Sequence, residues 1–200
     1  MFTLEHNLCF VNIDIDYLKA LHAVCPEVPY REKGYEHKPF IGLLVWNNGQ
    51  QYAIPLSSAK PKHTTWKNAT SDRFLIYEKT TAASMTSQDI FLPLEDACAT
   101  EPMVKHIFSV IDLKKMIPVN NRVCTPVYIN PTAQDSADVI KYKILLTKEL
   151  RFCIKIKDAL LKKASKLYQR QITTGKVNPF CVDFKRTEQV CNQYPLTADI

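Results

Sequence analysis

Apolar residues recur at steps of three from Asp14 to Val24, where Ile15, Leu18, Leu21 and Val24 make one stripe behind an Asp14 placed to cap it. That spacing predicts a short helix, ended by Pro26 and Pro29. Cys25 to Pro39 then reads as a polar loop. Phe40 to Trp46 is a run of β-prone apolar residues, Asn47-Asn48-Gly49 is a turn sequence, and Gln51 to Leu56 leads back. Together they predict a hairpin whose second strand delivers the chain into Ser57-Ser58. A polar loop to Ser71 follows. Arg73–Glu78, Ile90–Leu94 and Ile107–Val119 read as further strands, the last broken by a turn or short helix at Asp112–Met116. Thr80–Gln88 is poor in apolar residues and reads as loop, and Pro126–Ala133 as a connection.

From about Ser136 to Thr173 the period becomes helical. Val139, Ile140, Ile144, Leu145, Leu150, Ile154, Leu160, Leu161, Leu167 and Tyr168 recur at three- and four-residue steps. One helix of that length is long for a globular protein, so a break near Ile156 is expected. Gly175 is a candidate C-cap, and Asp183 to Tyr194 reads as a last helix. Strands first and helices after them predict one α+β domain over residues 1–200.

Composition narrows the chemistry. Hydrophobic residues make up 46% and charged residues 23% of the 200, the balance of a globular protein that buries a core. Only four glycines are present, which leaves no Gly-rich phosphate loop. No apolar run is long enough to span a bilayer. Met1 to Tyr17 carries Glu5, Asp14 and Asp16 and lacks the basic-then-apolar pattern of a signal peptide, so the expected location is cytoplasmic. The seven cysteines are widely spaced and odd in number, which predicts reduced, mostly buried thiols. The histidines (His6, His22, His37, His63 and His106) are equally scattered, so no metal ligand set and no cofactor are predicted.

Charge is distributed unevenly. Between Lys141 and Lys176 eleven Lys and Arg face only Glu149 and Asp158, a local net of +9, while the other residues hold fifteen basic and eighteen acidic groups, a net of −3. A polyanion partner suits such asymmetry, because each Lys or Arg that meets a phosphate releases condensed counterions. A solvated, Lys-rich helix face explains it equally well.

The most unusual segment is Pro55 to Lys67. Ser57 and Ser58 are followed by Lys60, Lys62, His63, Trp66 and Lys67, with no acid from Pro55 to Ser71. Hydroxyls and ammonium groups at a rigid strand end are what a phosphodiester needs: hydrogen bonds to its non-bridging oxygens, and cations against developing negative charge. Trp66 offers a surface on which a base stacks. Lys62, His63, Trp66 and Lys67 are therefore candidate RNA-binding residues. Taken singly, each has a plainer reading, as turn former, solvated charge or core cap. His63 is the conventional acid–base candidate.

Lys38-Pro39-Phe40-Ile41-Gly42, then a hairpin, then Tyr52 to His63 (Tyr-Ala-Ile-Pro-Leu-Ser-Ser-Ala-Lys-Pro-Lys-His) resembles the ToxN/AbiQ family. Met116-Ile117-Pro118-Val119 after Asp112-Leu113, and the helical stretch Tyr142–Lys176 with Cys181 and Phe184 beyond it, are similar to further blocks of that family in the same order. Ala59 stands where Pro is common, and the position of Ser57 is Thr in some relatives.

The resemblance implies a compact, twisted antiparallel sheet with a barrel-like core similar to MazF/Kid toxins, with added helices. It implies a metal-independent endoribonuclease toxin of a type III toxin–antitoxin or phage-abortive-infection system. The partners would be RNA alone: messenger substrates, and a small repeat RNA antitoxin folded as a pseudoknot. The toxin cuts that RNA from a precursor, is inhibited by it, and closes with it into a cyclic assembly, with no protein antitoxin and no membrane. By the family's pattern the catalytic hydroxyls and lysine fall on Ser57, Ser58 and Lys60. An upstream Tyr and Lys fall on Tyr35 and Lys38, with Tyr30 a rival for the tyrosine. The reaction implied is attack of an RNA 2′-hydroxyl on its neighbouring phosphorus, with Lys60 stabilising the transition state. Lys157, Lys162, Lys163, Lys166 and Arg170 would hold the antitoxin RNA. Two other readings stay open: a nucleic-acid-binding module that does not cut, and a metal-dependent nuclease using Asp14/Asp16 or Glu95/Asp96.

Overall fold

A computed structural model describes residues 1–4, 8–31, 41–95 and 100–194. Its sheet contains nine strands: β1 (Phe2–Thr3), β2 (Phe10–Ile13), β3 (Ile41–Asn47), β4 (Gln50–Ser58), β5 (Arg73–Thr81), β6 (Phe91–Leu94), β7 (Met103–Asp112), β8 (Ile117–Val119) and β9 (Cys124–Pro126). All pairings between them are antiparallel, and the main path runs β5-β7-β4-β3-β2-β9. Four helices accompany the sheet: α1 (Ile15–Val24), α2 (Ala137–Lys155), α3 (Lys157–Thr174) and α4 (Phe184–Gln193).

The β3–β4 hairpin forms because Asn48 and Gly49 accept positive φ (51° and 81°), the backbone a tight hairpin turn requires. Gly42 of β3 lies opposite Pro55, and a Cβ there would come within 3.0 Å of the Ala53 Cβ. β4 is the spine of the fold. Along one edge it pairs with β3 from Gln50 to Pro55. Along the other it pairs with β8 at Gln51–Ala53 and with β7 at Leu56–Ser58. Pro55, which has no N–H to donate, falls in the gap between those two pairings, opposite a 3-10 turn at Leu113–Lys115. The strand therefore leaves one part of the sheet and enters the next at Pro55-Leu56, and it ends with both serines exposed.

Helix ends follow the side chains available. Asp14 accepts the Tyr17 N–H at 2.8 Å, Ser136 that of Val139 at 3.4 Å, and Asp183 that of Arg186 at 3.0 Å. The helical stretch divides at Ile156, as the sequence predicts, and Gly175 closes α3 in the left-handed region at φ 65°. One buried cluster joins sheet and helices, from Phe2, Phe10, Tyr17 and Leu43 through Ile54 and Ile111 to Leu160, Phe184 and Cys191. Each fully buried side chain of this kind stabilises the fold by roughly 1.5–3 kcal/mol. α4 is fixed to the sheet through Glu188, which accepts hydrogen bonds from the Tyr52 hydroxyl and from that of Tyr168 at 2.8 Å.

Several elements depart from the sequence reading. β1, β2 and β9 are too short for a periodic signal and exist through pairing with β3 and with each other. β5 continues to Thr81 because Thr80 and Thr81 pair with Val104 and Met103. β7 begins at Met103, earlier than its apolar run, because Lys105 is buried in it with its ammonium donating to the Asn68 side chain at 2.9 Å. Among the described residues no helix is long and apolar enough to cross a membrane.

Candidate functional site

Ser57 and Ser58 are adjacent, so the pleat of β4 sends their side chains to opposite faces. Register fixes which faces. Ser57 stands across from Val110, whose side chain packs with Leu75 and Ile107 beneath Ala59 and Trp66. Ser58 stands across from Ser109, and Ser109 pairs with the core residue Ile76 on its other side. Ser57 thus shares a face with the segment that follows it, and Ser58 faces the α2 side.

Beyond Ala59 the chain turns through a 3-10 helix at Pro61–Thr65, with Lys60 as the residue that begins it. His63 holds this turn. The residue is 4% exposed, its Nδ1 accepts the Lys60 backbone N–H at 3.0 Å, and its backbone N–H donates to the Lys60 carbonyl at 2.8 Å. Burial, then the charges of Lys62, Lys60 and Arg73, hold the imidazole below its ordinary pKa. It is therefore a neutral ring near pH 7, and the proton lies on Nε2 because Nδ1 accepts. Sequence chemistry makes His63 an RNA-binding candidate; the structure gives it the task of locking the Lys60 backbone from inside.

Trp66 is occupied on the protein side. The His63 ring centroid lies 4.5 Å from it, the Arg73 guanidinium packs over it at 3.8 Å, and Lys62 stands 5.5 Å from its centre. Lys60, Lys62 and Lys67 are exposed. The loop that follows is tied down at both ends. The Asn68 side chain accepts from the Lys105 ammonium and its backbone carbonyl accepts from the Leu75 N–H at 2.8 Å, while the Thr70 carbonyl accepts from Lys163 of α3 at 2.5 Å. Lys163 also lies 4.2 Å from the centre of the Phe74 ring. The basic helix and the site loop are thereby neighbours, a contact that nothing in the local pattern announces.

On α3, at about 100° per residue, Lys162, Lys163, Lys166 and Arg170 fall on one side and Lys157 on the other. Lys162, Lys166 and Arg170 are exposed, and Lys163 is half-buried by its contact with Thr70. Lys148 and Lys143 spend their charge within the fold, on Glu78 at 2.6 Å and Asp135 at 2.7 Å. Tyr35 and Lys38 lie outside the described residues. Tyr30 packs against the core with its ring 5.5 Å from that of His22.

The other face of the strand end holds a group that sequence reading did not single out. Glu149 of α2 is 5% exposed, makes no ion pair among the described residues, and is pushed up to about 7 by burial, the nearby Ser109 hydroxyl pulling slightly the other way. That hydroxyl is itself buried and reaches no partner in hydrogen-bond geometry. The acids nearest the cationic loop are engaged: Asp72 accepts from Thr70 at 2.7 Å and pairs with Lys114 at 3.5 Å. Among the described residues no group of three or more His, Cys, Asp or Glu could hold a metal ion. Asp14 is a helix cap, Asp16 lies exposed in the first turn of that helix, Glu95 is exposed, and Asp96 falls outside the described residues. Six cysteines are free thiols, five of them buried, and Cys98 lies outside the described residues.

Such an arrangement can bind a phosphodiester. Hydroxyls end a rigid strand, Lys60 follows on a locked backbone, and Lys62 and Arg73 gather with it around His63 and Trp66. The family profile described as toxin ToxN, type III toxin–antitoxin system, matches residues 9–192. The endoribonuclease ToxN of Bacillus thuringiensis subsp. kurstaki is 25% identical over 199 residues, spanning 96% of this chain and 87% of that protein. A solved structure concerned with selective toxin inhibition by a non-coding RNA pseudoknot in type III systems superposes with a TM-score of 0.68 at 20% identity, over 94% of this chain and 98% of that one. AbiQ, a lactococcal anti-phage endoribonuclease of a type III toxin–antitoxin system, superposes at 0.63 and 17% identity, over 94% and 98% of the two chains.

Proposed function

This chain belongs to the ToxN toxin family of type III toxin–antitoxin systems, and on that footing we propose that it is a metal-independent endoribonuclease whose centre is the end of β4. The observation that carries the proposal is Lys60, three residues beyond Ser57, with its backbone fixed by the buried His63 around which Lys62, Lys60 and Arg73 gather. Substrate RNA lies along this end with its scissile phosphate at Ser57 and Lys60. The 2′-hydroxyl attacks the adjoining phosphorus, the 5′-oxygen leaves, and the ends formed are a 2′,3′-cyclic phosphate and a 5′-hydroxyl. No enzyme nucleophile is required. Ser57 donates a hydrogen bond to a non-bridging oxygen, and Lys60 opposes the charge that develops on the pentacovalent phosphorus. Tyr35 and Lys38 complete the phosphate site. Ser58, on the other face, orients the strand end rather than the same oxygen.

The inhibitor is an RNA. Relatives described as inhibited by a non-coding RNA pseudoknot, or regulated by a processed non-coding RNA, share this fold. Lys163 joins α3 to the site loop, and Lys162, Lys166 and Arg170, exposed on the same helix, offer a second cationic surface that the antitoxin RNA occupies. The sheet's bend at Pro55 suits a barrel-like core of the MazF/Kid kind, residues 1–200 form one toxin domain, and toxin and RNA close into a cyclic assembly in the cytoplasm without a protein antitoxin. RNA incubated with the purified protein and a chelator should be cut, with products carrying cyclic phosphate ends. Tight, salt-sensitive binding without cutting would leave only the binding-module reading.

A further inference from the structure

Arg73 opens β5, six residues beyond the Ser57–Lys67 segment, and its side chain lies within that segment's cluster. Its guanidinium packs over the Trp66 ring at 3.8 Å and lies close enough to His63 to bias that imidazole. Register puts it on the site face. Leu75, two residues on, shares the Val110 contact with Ser57, and side chains two apart on a strand point the same way. Among the described residues its guanidinium closes no ion pair at contact distance, and its Nε is buried without a hydrogen-bond partner. The neighbouring Asp72 feels the Arg73 charge but is held at contact distance by Thr70 and Lys114, so it screens the guanidinium without capping its donors. A half-buried, always-charged group whose donors no acceptor caps is costly unless something supplies one. Its neighbours Lys60 and Lys62 only raise the demand.

Stacking also changes what this cation can do. A guanidinium laid on an indole loses rotational freedom, and its in-plane N–H donors stay aimed outward in a fork that matches two phosphate oxygens. Trp66 then serves as the platform that orients the arginine, and bases stack elsewhere. Resting on the proposed site, we infer that Arg73 is a phosphate-binding residue of this toxin, a Trp66-supported fork that grips the RNA backbone phosphate lying beside Ser57 and Lys60.

The test uses full-length protein with Arg73→Lys and Arg73→Met, and Arg151→Ala, an exposed α2 arginine away from the site, as the control. Binding of a single-stranded RNA is followed across a salt series, and cleavage is followed at saturating and limiting RNA. Arg73→Met keeps the apolar stem over Trp66, and should lower the salt slope by about 0.7, the loss of one phosphate contact on a single strand. Arg73→Lys keeps the charge and the slope but not the fork, and should lower kcat/KM about ten- to a hundred-fold, with kcat falling as well as KM rising. Melting temperatures identify any variant that simply unfolds, and Arg73→Lys, the milder change, then decides. Wild-type slope in Arg73→Met together with wild-type cleavage in Arg73→Lys overturns the inference. Should the wild-type protein bind RNA and never cut it, the proposed function falls, and the salt slopes still settle Arg73.

Discussion

Replacing Glu149 with glutamine tests the electrostatics beneath the site. The carboxyl is 5% exposed on α2, and burial raises it from the ordinary 4.5 to about 7. Around it stand Tyr142 and Cys153 of its own helix, both pushed up in turn, and Ser109 of β7. None of these supplies a positive charge. Because the folded pKa lies above the unfolded one, the native state binds the extra proton between them, and stability falls as pH rises through that window. Below 4.5 both states are protonated and ionisation contributes nothing; above about 7 both are charged and the folded state bears the whole desolvation cost. At 1.36 kcal/mol per pH unit, the interval from 4.5 to about 7 amounts to about 3 kcal/mol. Glu149→Gln keeps the shape and removes the ionisation. Urea unfolding across the pH range should show the variant gaining on wild type from about pH 5 upward, by up to about 3 kcal/mol near pH 8. A stability difference that does not change with pH, or one that favours wild type at high pH, would refute the buried, unpaired carboxyl.

Two further outcomes follow from the geometry of the strand end and of α3. Ser57→Ala should lower cleavage about ten-fold or more while Ser58→Ala stays closer to wild type, since only Ser57 shares the Trp66 face; rates from single-turnover cleavage check the order, and equal losses would place both hydroxyls on one phosphate. Neutralising Lys162, Lys166 and Arg170 together should flatten the salt dependence of RNA binding by roughly two units while leaving the cut position unchanged, and an unaltered slope would return that face to solvent.

Much of the fold is legible in the sequence wherever the physics is local. Asn48-Gly49 specifies its turn by backbone preference, Asp14 and Asp183 specify helix starts by their carboxylates, and the break at Ile156 follows from length. Elements set by distant partners are not legible. β9 exists because Cys124–Pro126 meets Val11–Ile13, and β7 starts early because a buried Lys105 finds Asn68 and the Tyr77 ring. The candidate site divides in the same way. Ser57, Ser58, Lys60 and His63 are contiguous and visible as an acid-free, hydroxyl- and lysine-rich run. Arg73 comes to one face of the strand end and Ser109 and Glu149 to the other, and only register and the packing of α2 show which. Even the visible residues change meaning: the pleat separates the two serines, and burial turns His63 from a candidate acid–base group into the lock on Lys60.

The most direct test of the central claim is cleavage of a defined RNA by purified protein in excess chelator, wild type beside Lys60→Ala, with the new ends identified chemically. Wild type should cut at full rate and leave 2′,3′-cyclic phosphate and 5′-hydroxyl ends, and Lys60→Ala should lose about a hundred-fold or more while still binding RNA. Undiminished cutting by Lys60→Ala, or cutting by wild type that stops with the chelator, would contradict it.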